Sequence, residues 1–244
     1  MMEQHYILLI MNCKKYHTKS LFQKNTWLKL LPNNIIYYHV IGDENIDKDY
    51  YFDDYNKVLY VRTADDYISL PKKVITAYKA INESFKFKYI FKTDDDQILV
   101  NNQFFTKLIK MLISEYNKIH YGGFLVKINK PKQCNYNIIH PELPNNMVLY
   151  KTNYCTGRFY FLSNMAIDFL VKNKKSQIES EFLEDYGIGF HLDDFYKKTA
   201  IHIATNFYFT DIEHSDYPKF LIKIEENKNV NGNNSDFSNS LSKI

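Results

Sequence analysis

Tyr89-Ile90-Phe91-Lys92-Thr93-Asp94-Asp95-Asp96 joins a short apolar run of strand length directly to three consecutive carboxylates. In an open α/β sheet, ligands bind at the carboxyl ends of the strands. Carboxylates packed side by side repel one another, so they are stable in solvent or around a cation. A hard cation held there could grip the phosphates of a nucleotide. A plain solvated turn also accommodates an acidic triplet, and the rest of the chain has to decide between the two.

Outward from this stretch, apolar runs of strand length alternate with helical patterns, which predicts an α/β fold with a sheet flanked by helices. Before the triplet, residues 5–11, 35–41 and 57–62 read as strands. Residues 18–31 read as a helix with Leu21, Phe22, Trp27 and Leu28 on its apolar side. Residues 71–85 form a second helical pattern, with Pro71 at its start, where a missing N–H costs nothing. After the triplet, residues 103–116 are amphipathic, residues 120–126 and 160–162 are strand-like, and residues 127–146 read as a long polar loop. Residues 166–172 and 192–198 look helical, and residues 201–208 read as a late strand. From residue 225 the chain is rich in Asn, Ser and Lys and has too few apolar residues to hold itself ordered, so residues 225–244 are expected to be a flexible tail behind a single domain of residues 1–224.

Composition narrows the function classes. The 244 residues are 45% hydrophobic and 24% charged, as in an ordinary globular domain. A formal charge of +3, scattered along the chain, does not suit nucleic-acid binding. The 21 Tyr and 18 Phe accompany abundant Asn, Ile and Lys and only 7 Gly, the mark of an AT-rich genome such as that of a giant virus or intracellular microbe. Cys13, Cys134 and Cys155 are an odd number without metal-type spacing, which suits a reducing compartment. The apolar run 6–11 is too short for a membrane span and has no basic flank before it. The expectation is a cytoplasmic protein without a membrane anchor.

Neither GxGxxG nor GxxxxGK[ST] occurs, so a bound nucleotide would need a metal where those loops use backbone N–H groups. A second carboxylate cluster, Glu181, Glu184 and Asp185, precedes Tyr186-Gly187-Ile188-Gly189. Carboxylates there could serve as a general base or simply as a charged helix start.

Six short blocks, in order, resemble the inverting β-1,3-glycosyltransferases of the galactosyltransferase and Fringe type. Lys24-Asn-Thr-Trp27 resembles the family's Arg-x-Thr-Trp block, with Lys for Arg. Asp65-Asp-Tyr67-Ile-Ser-Leu70-Pro-Lys-Lys73 is similar to Asp-x-Tyr-x-Asn-Leu-Thr-x-Lys, with Ser69 for Asn. Lys92-Thr-Asp-Asp-Asp-Gln-Ile-Leu-Val-Asn101 matches the Lys-Thr-Asp-Asp-Asp core, and Tyr121-Gly-Gly123 a Gly-Gly block. Tyr154-Cys-Thr-Gly157-Arg-Phe-Tyr160-Phe-Leu-Ser163 resembles Tyr-Cys-Ser-Gly-x-Gly-Tyr-x-Leu-Ser, with Arg158 and Phe159 replacing small residues. Glu184-Asp185-Tyr-Gly-Ile-Gly189 resembles the Glu-Asp-Val-x-x-Gly block.

The resemblance implies a GT-A fold, a nucleotide-binding mixed sheet flanked by helices. Its donor-binding half would be residues 1–126 and its acceptor-side half residues 127–224. It implies transfer of a hexose or N-acetylhexosamine from a UDP-sugar to a glycan or glycoprotein hydroxyl, in β-1,3 linkage, with Mn²⁺ or Mg²⁺ bridging protein and diphosphate. Asp185 would be the base, with Glu184 as the alternative, and Asp96 would hold the metal. Asp94, Asp95, Gly122, Gly123 and Gly157 would face the nucleotide-sugar, and Lys24 and Lys73 would stand in for the family's basic residues. A histidine beyond the Glu-Asp block would complete the metal site: His214 is the choice, and His202 remains open. Competing readings are a metal-dependent phosphoryl-transfer enzyme and a non-catalytic carbohydrate-binding protein with a relict site.

Overall fold

The computed structural model describes residues 6–212 and the backbone of Met2–Glu3. The order of the first elements follows the sequence pattern. Strand β1 (Tyr6–Met11) leads to helix α1 (His17–Asn25), then to β2 (Ile35–Gly42), β3 (Tyr50–Asp53) and β4 (Val58–Val61). Helix α2 (Leu70–Ser84) precedes β5 (Tyr89–Asp94), the strand that delivers the triplet. There follow β6 (Gln97–Leu99), α3 (Phe104–Ser114), β7 (Tyr121–Ile128) and the long β8 (Thr152–Ser163). The chain continues through α4 (Asn164–Asn173), α5 (Lys175–Glu179), α6 (Glu184–His191) and α7 (Asp194–Lys197) to β9 (Ile201–His202) and β10 (Phe209–Asp211).

Eight strands form one mixed sheet in the order β9-β7-β8-β5-β1-β2-β4-β3. The inner pairs β1/β2, β1/β5 and β2/β4 are parallel, so Met11, Gly42, Val61 and Asp94 end on the same edge. This is the α/β arrangement expected from the alternating pattern. The core lies on both faces of β1: Ile7, Leu9 and Met11 pack with Val74, Tyr78 and Leu170, whereas Tyr6, Leu8 and Ile10 pack with Trp27, Phe105 and Leu108. A strand covered on both faces needs apolar residues throughout, which is why this run does not alternate.

Several elements differ from the sequence expectation. The helix expected over residues 18–31 breaks at Thr26 (φ −115°, ψ −111°), and Trp27–Leu30 continues as a 3₁₀ turn. Only three residues of β8 were legible as a strand, because its first half carries polar side chains. The stretch expected to be a long loop is partly strand: β7 runs on to Ile128, and Lys132–Gln133 pairs with Val148–Leu149. Leu143 and Leu149 bury a small core with Ile128, Leu183 and Tyr186. The late strand over residues 201–208 is only Ile201–His202, followed by a 3₁₀ turn at Thr205–Phe207. The expected tail from residue 225 lies outside the described residues.

Gly122 and Gly123 sit inside β7, paired with both β8 and β9. A Cβ on Gly122 would stand 2.6 Å from Ile201 Cγ1 and 2.6 Å from a Phe161 ring carbon. Gly122→Ala is therefore expected to destabilise the fold by about 1–3 kcal/mol through overpacking. Chemical denaturation measures this, and an unchanged midpoint would refute the packing account.

Candidate active site

The edge where the parallel strands end opens into a cleft of about 1370 Å³. Asp94, Asp95, Asp96, Lys73, Gly157, Glu184 and Asp185 all line it, so residues from four distant parts of the chain meet there. Lys24, Gly122 and Gly123 are not among its lining residues. His214 lies outside the described residues.

Helix α1 explains which basic residue faces the triplet. Residues four apart share a helix face, whereas residues five apart do not. Lys19 and Gln23 form the inward pair: Lys19 Nζ reaches Asp95 Oδ1 at 3.1 Å, and Gln23 Nε2 donates to the carbonyls of Asp94 (3.2 Å) and Gln97 (2.9 Å). Lys24 points elsewhere and donates to the Asn56 carbonyl at 2.6 Å. Gln23 is fully buried, and its Oε1 lies 3.0 Å from His39 Nε2, so the ring carries its proton on that nitrogen. Burial, with Lys24 and His17 adding, pushes the His39 pKa down to about 3, and the imidazole stays neutral. Lys19 and Gln23 belong to no block of the resemblance, and only the helical i, i+4 spacing could have pointed to them. Lys73 lines the cleft, but its buried ammonium is held by Asp65 Oδ1 (2.6 Å) and the Asn12 carbonyl (3.0 Å).

A β-bulge sets the opposite wall. The β8/β7 register jumps between Cys155↔Leu125 and Tyr160↔Gly123, leaving Thr156–Phe159 unpaired on that side. Bulges of this kind re-aim backbone and side chains next to functional sites. Here the bulge presents Gly157 to the cleft, with its N–H donating to Asp185 Oδ2 at 3.0 Å. A Cβ on Gly157 would stand 3.2 Å from Asp94 Oδ2, 3.2 Å from Lys92 Nζ and 3.9 Å from Asp185 Oδ2. Glycine thus keeps clear the space between the triplet and the Glu-Asp pair.

The carboxylates are not equivalent. Glu184, at the start of α6, is buried; it accepts from Lys92 Nζ at 2.9 Å and from the Tyr160 hydroxyl. Among the described residues Asp185 has no basic partner and accepts only from the backbone N–H groups of Gly157 and Tyr186. Desolvation, with Glu184 adding and Lys92 opposing, pushes the Asp185 carboxyl up to about 6. Desolvation likewise raises Asp94 to about 7, against the pull of Lys92, and Asp95 to about 6, against Lys19. Burial works against the Lys92 charge, yet Asp94 and Glu184 outweigh it and hold its pKa above the ordinary value. Glu181 is engaged with His191 at 2.7 Å and does not line the cleft.

Asp96 has one hydrogen bond among the described residues, from Gln97 Nε2 at 2.9 Å. The same amide donates to Asp211 at 2.5 Å, and β10 places Asp211 opposite Gln97. Arg158 clamps Asp211 with two bonds of 3.0 Å from Nη2. Among the described residues no three His, Cys, Asp or Glu side chains gather into a ready metal site. A partly exposed carboxylate with free lone pairs still fits a hard cation that keeps waters and takes substrate phosphate oxygens. His202, the other histidine left open for the metal, is exposed, and its Nδ1 accepts from the Leu125 N–H at 3.2 Å. It is not among the residues lining the cleft.

A sequence model of the galactosyltransferase family matches residues 19–202. No curated protein sequence matches the chain. Among solved structures, the glycosyltransferase GlyE of Streptococcus pneumoniae TIGR4 is 9% identical, with 94% of this chain and 52% of that chain covered at a TM-score of 0.44. The chain thus spans about half the length of GlyE. The 2-C-methyl-D-erythritol 4-phosphate cytidylyltransferase of Francisella tularensis is 13% identical, covering 90% of this chain and 99% of that chain at 0.45. Mouse xyloside xylosyltransferase 1 is 8% identical, covering 83% and 86% at 0.40. No helix among the described residues is long and apolar enough to cross a membrane.

The close approach at Gly157 gives a direct test. Gly157→Ala is expected to lower turnover roughly 10- to 100-fold by pushing aside the Asp94 carboxylate and the Lys92 ammonium that crowd that position. Turnover kinetics check this, with circular dichroism confirming the fold, and wild-type rates in the variant would contradict it.

Proposed function

We propose that this chain, which belongs to the galactosyltransferase family, moves a hexose or N-acetylhexosamine from a UDP-sugar to a hydroxyl of a glycan or glycoprotein, in β-1,3 linkage and with inversion. One observation carries the reading: the triplet and Asp185 line one cleft and approach each other at Gly157, where a Cβ would stand 3.2 Å from Asp94 Oδ2 and 3.9 Å from Asp185 Oδ2. A transferring sugar needs that arrangement, with its leaving group towards one wall and its incoming nucleophile towards the other.

Asp185 is the base. An acceptor hydroxyl is a weak nucleophile until a positioned carboxylate takes its proton. Glu184 is unsuited, because its oxygens are committed to a buried ammonium and a tyrosine hydroxyl. Among the described residues Asp185 accepts only two backbone N–H groups, which leaves lone pairs for the incoming hydroxyl. As its carboxylate takes the proton, the acceptor oxygen bonds to the anomeric carbon and the bond from that carbon to the diphosphate oxygen breaks. UDP leaves with the electron pair. A single displacement inverts the anomeric centre and forms no covalent bond to the protein.

Asp96 would hold a divalent cation, Mn²⁺ or Mg²⁺, together with His214, and the cation, when bound, supplies positive charge to the departing diphosphate. Asp94 and Asp95 lie towards the nucleotide, held in place by Lys92 and Lys19.

The test is UDP release from a panel of UDP-sugars with and without Mn²⁺. Asp185→Asn should lower turnover by about 10²- to 10⁴-fold, and normal turnover in that variant would remove Asp185 from the role. The base works ionised, so wild-type turnover should fall about tenfold per pH unit as pH drops below about 6, and the residual rate of Asp185→Asn should fall less steeply there, with Asp94 and Asp95 still titrating. Asp96→Asn should raise the Mn²⁺ concentration needed for half-maximal rate at least about tenfold, consistent with the loss of one charged ligand.

A further inference from the structure

Lys92 belongs to the quoted core block, and beyond holding Asp94 it has no task in the proposed chemistry. Its side chain is 1% exposed, and an isolated ammonium so deep would be strongly unfavourable. An ammonium has three donors, and here each has an acceptor: Asp94 Oδ1 at 2.7 Å, Glu184 Oε2 at 2.9 Å and the Gly157 carbonyl at 3.1 Å. These acceptors come from three separate segments: the end of β5, the start of α6 and the β8 bulge. Within the bulge the ladder to β7 is interrupted, so Gly157 is not fixed by pairing there. It is fixed by Lys92 on its carbonyl and, one residue on, by Thr93 Oγ1 donating to the Arg158 carbonyl at 2.7 Å. The N–H of the same Gly157 holds Asp185. Behind Glu184 the network continues through the Tyr160 hydroxyl to the Tyr78 hydroxyl, 2.7 Å further on.

The geometry points to Lys92 as a positioning residue for the transfer: its ammonium fixes Gly157 and Glu184, so that the Gly157 N–H holds the Asp185 carboxylate towards the cleft. This rests on the reading of Asp185 as the base. Lys92 borders the same cleft, and in this role it acts through Gly157 rather than on the reacting atoms. Among the described residues the charged and titratable groups facing Asp185 are Glu184 on its own helix, Lys92 and Asp94 from β5, Tyr121 from β7, Tyr154 and Cys155 from β8, Tyr67 from the segment before α2, and Tyr136 from the segment between β7 and β8. Lys92 is the one cation among them, so its removal should move the Asp185 titration upwards.

The experiment follows the Gly157 amide proton and the Asp185 carboxyl carbon by NMR across pH, in the wild type and in Lys92→Met, alongside UDP release from UDP-galactose with Mn²⁺. In the wild type the Gly157 amide shift should track the Asp185 titration. In Lys92→Met the tracking should be lost, the Asp185 midpoint should rise, and turnover should fall roughly 10- to 100-fold. A residue that only holds the fold together would lower the unfolding temperature and leave the tracking intact. If Lys92→Met does not fold, Lys92→Met with Glu184→Gln removes the buried pair together, a change that proteins often tolerate. In that variant the loss of Gly157 tracking is the expected result. A Gly157 amide that tracks Asp185 as in the wild type, in either variant, overturns the proposal. So does a wild-type Gly157 amide that ignores Asp185. If the wild type releases no UDP from any UDP-sugar, the donor reading fails, while the amide titration still decides the role of Lys92.

Discussion

Like charges crowded onto one edge of an apolar sheet repel, and the site depends on how that repulsion is offset. Lysines offset several of these carboxylates: Lys19 sits on Asp95, Lys92 is shared by Asp94 and Glu184, and Lys73 sits on Asp65. Arg158 does the same for Asp211. Within the triplet and the Glu-Asp pair, two carboxylates have no basic partner among the described residues, Asp96 and Asp185. Neutralising the others leaves these two free to act on a substrate. Asp96 suits a cation and Asp185 a proton, because one is partly open with free lone pairs and the other is desolvated with a raised pKa.

The fold prepares this division before any side-chain chemistry begins. Three parallel strand pairs bring their ends to one edge, as covered α/β sheets do. The antiparallel β8 runs past that edge and carries the bulge to a point opposite Thr93. The first turn of α6 then brings Glu184 and Asp185 to the same place from the other side. Asp185, the proposed proton acceptor, and Asp96, the proposed cation ligand, thus line one cleft although they are 89 positions apart in the chain.

Much of this was legible in the sequence, for identifiable reasons. The buried strands read clearly because both faces need apolar residues, and the Lys-Thr-Asp-Asp-Asp run stands where a strand meets the edge. The first half of β8 was hidden, because Asn153, Thr156 and Arg158 serve the cleft and its surroundings rather than a core. Helix α6 was hidden by Gly187 and Gly189, which lower helix propensity. A Cβ on Gly189 would stand 2.3 Å from the Tyr154 Cβ, so close packing on β8 excludes a larger residue there. Lys24 was read from a motif rather than from the helix period, and Lys19, more than one turn earlier in α1, is the lysine that reaches the triplet. The roles of Gln23 and Lys92 rest on contacts between residues more than 60 positions apart, which no local pattern encodes.

The central claim is that the cleft between Asp96 and Asp185 holds a nucleotide-sugar clamped by a cation. Crystals soaked with UDP and Mn²⁺, with data collected at the manganese absorption edge, test it most directly. The account predicts an anomalous peak within coordination distance of the Asp96 carboxylate and of the UDP phosphates, with Asp185 across the space above Gly157. A peak elsewhere, or bound UDP with no manganese beside Asp96, would contradict it.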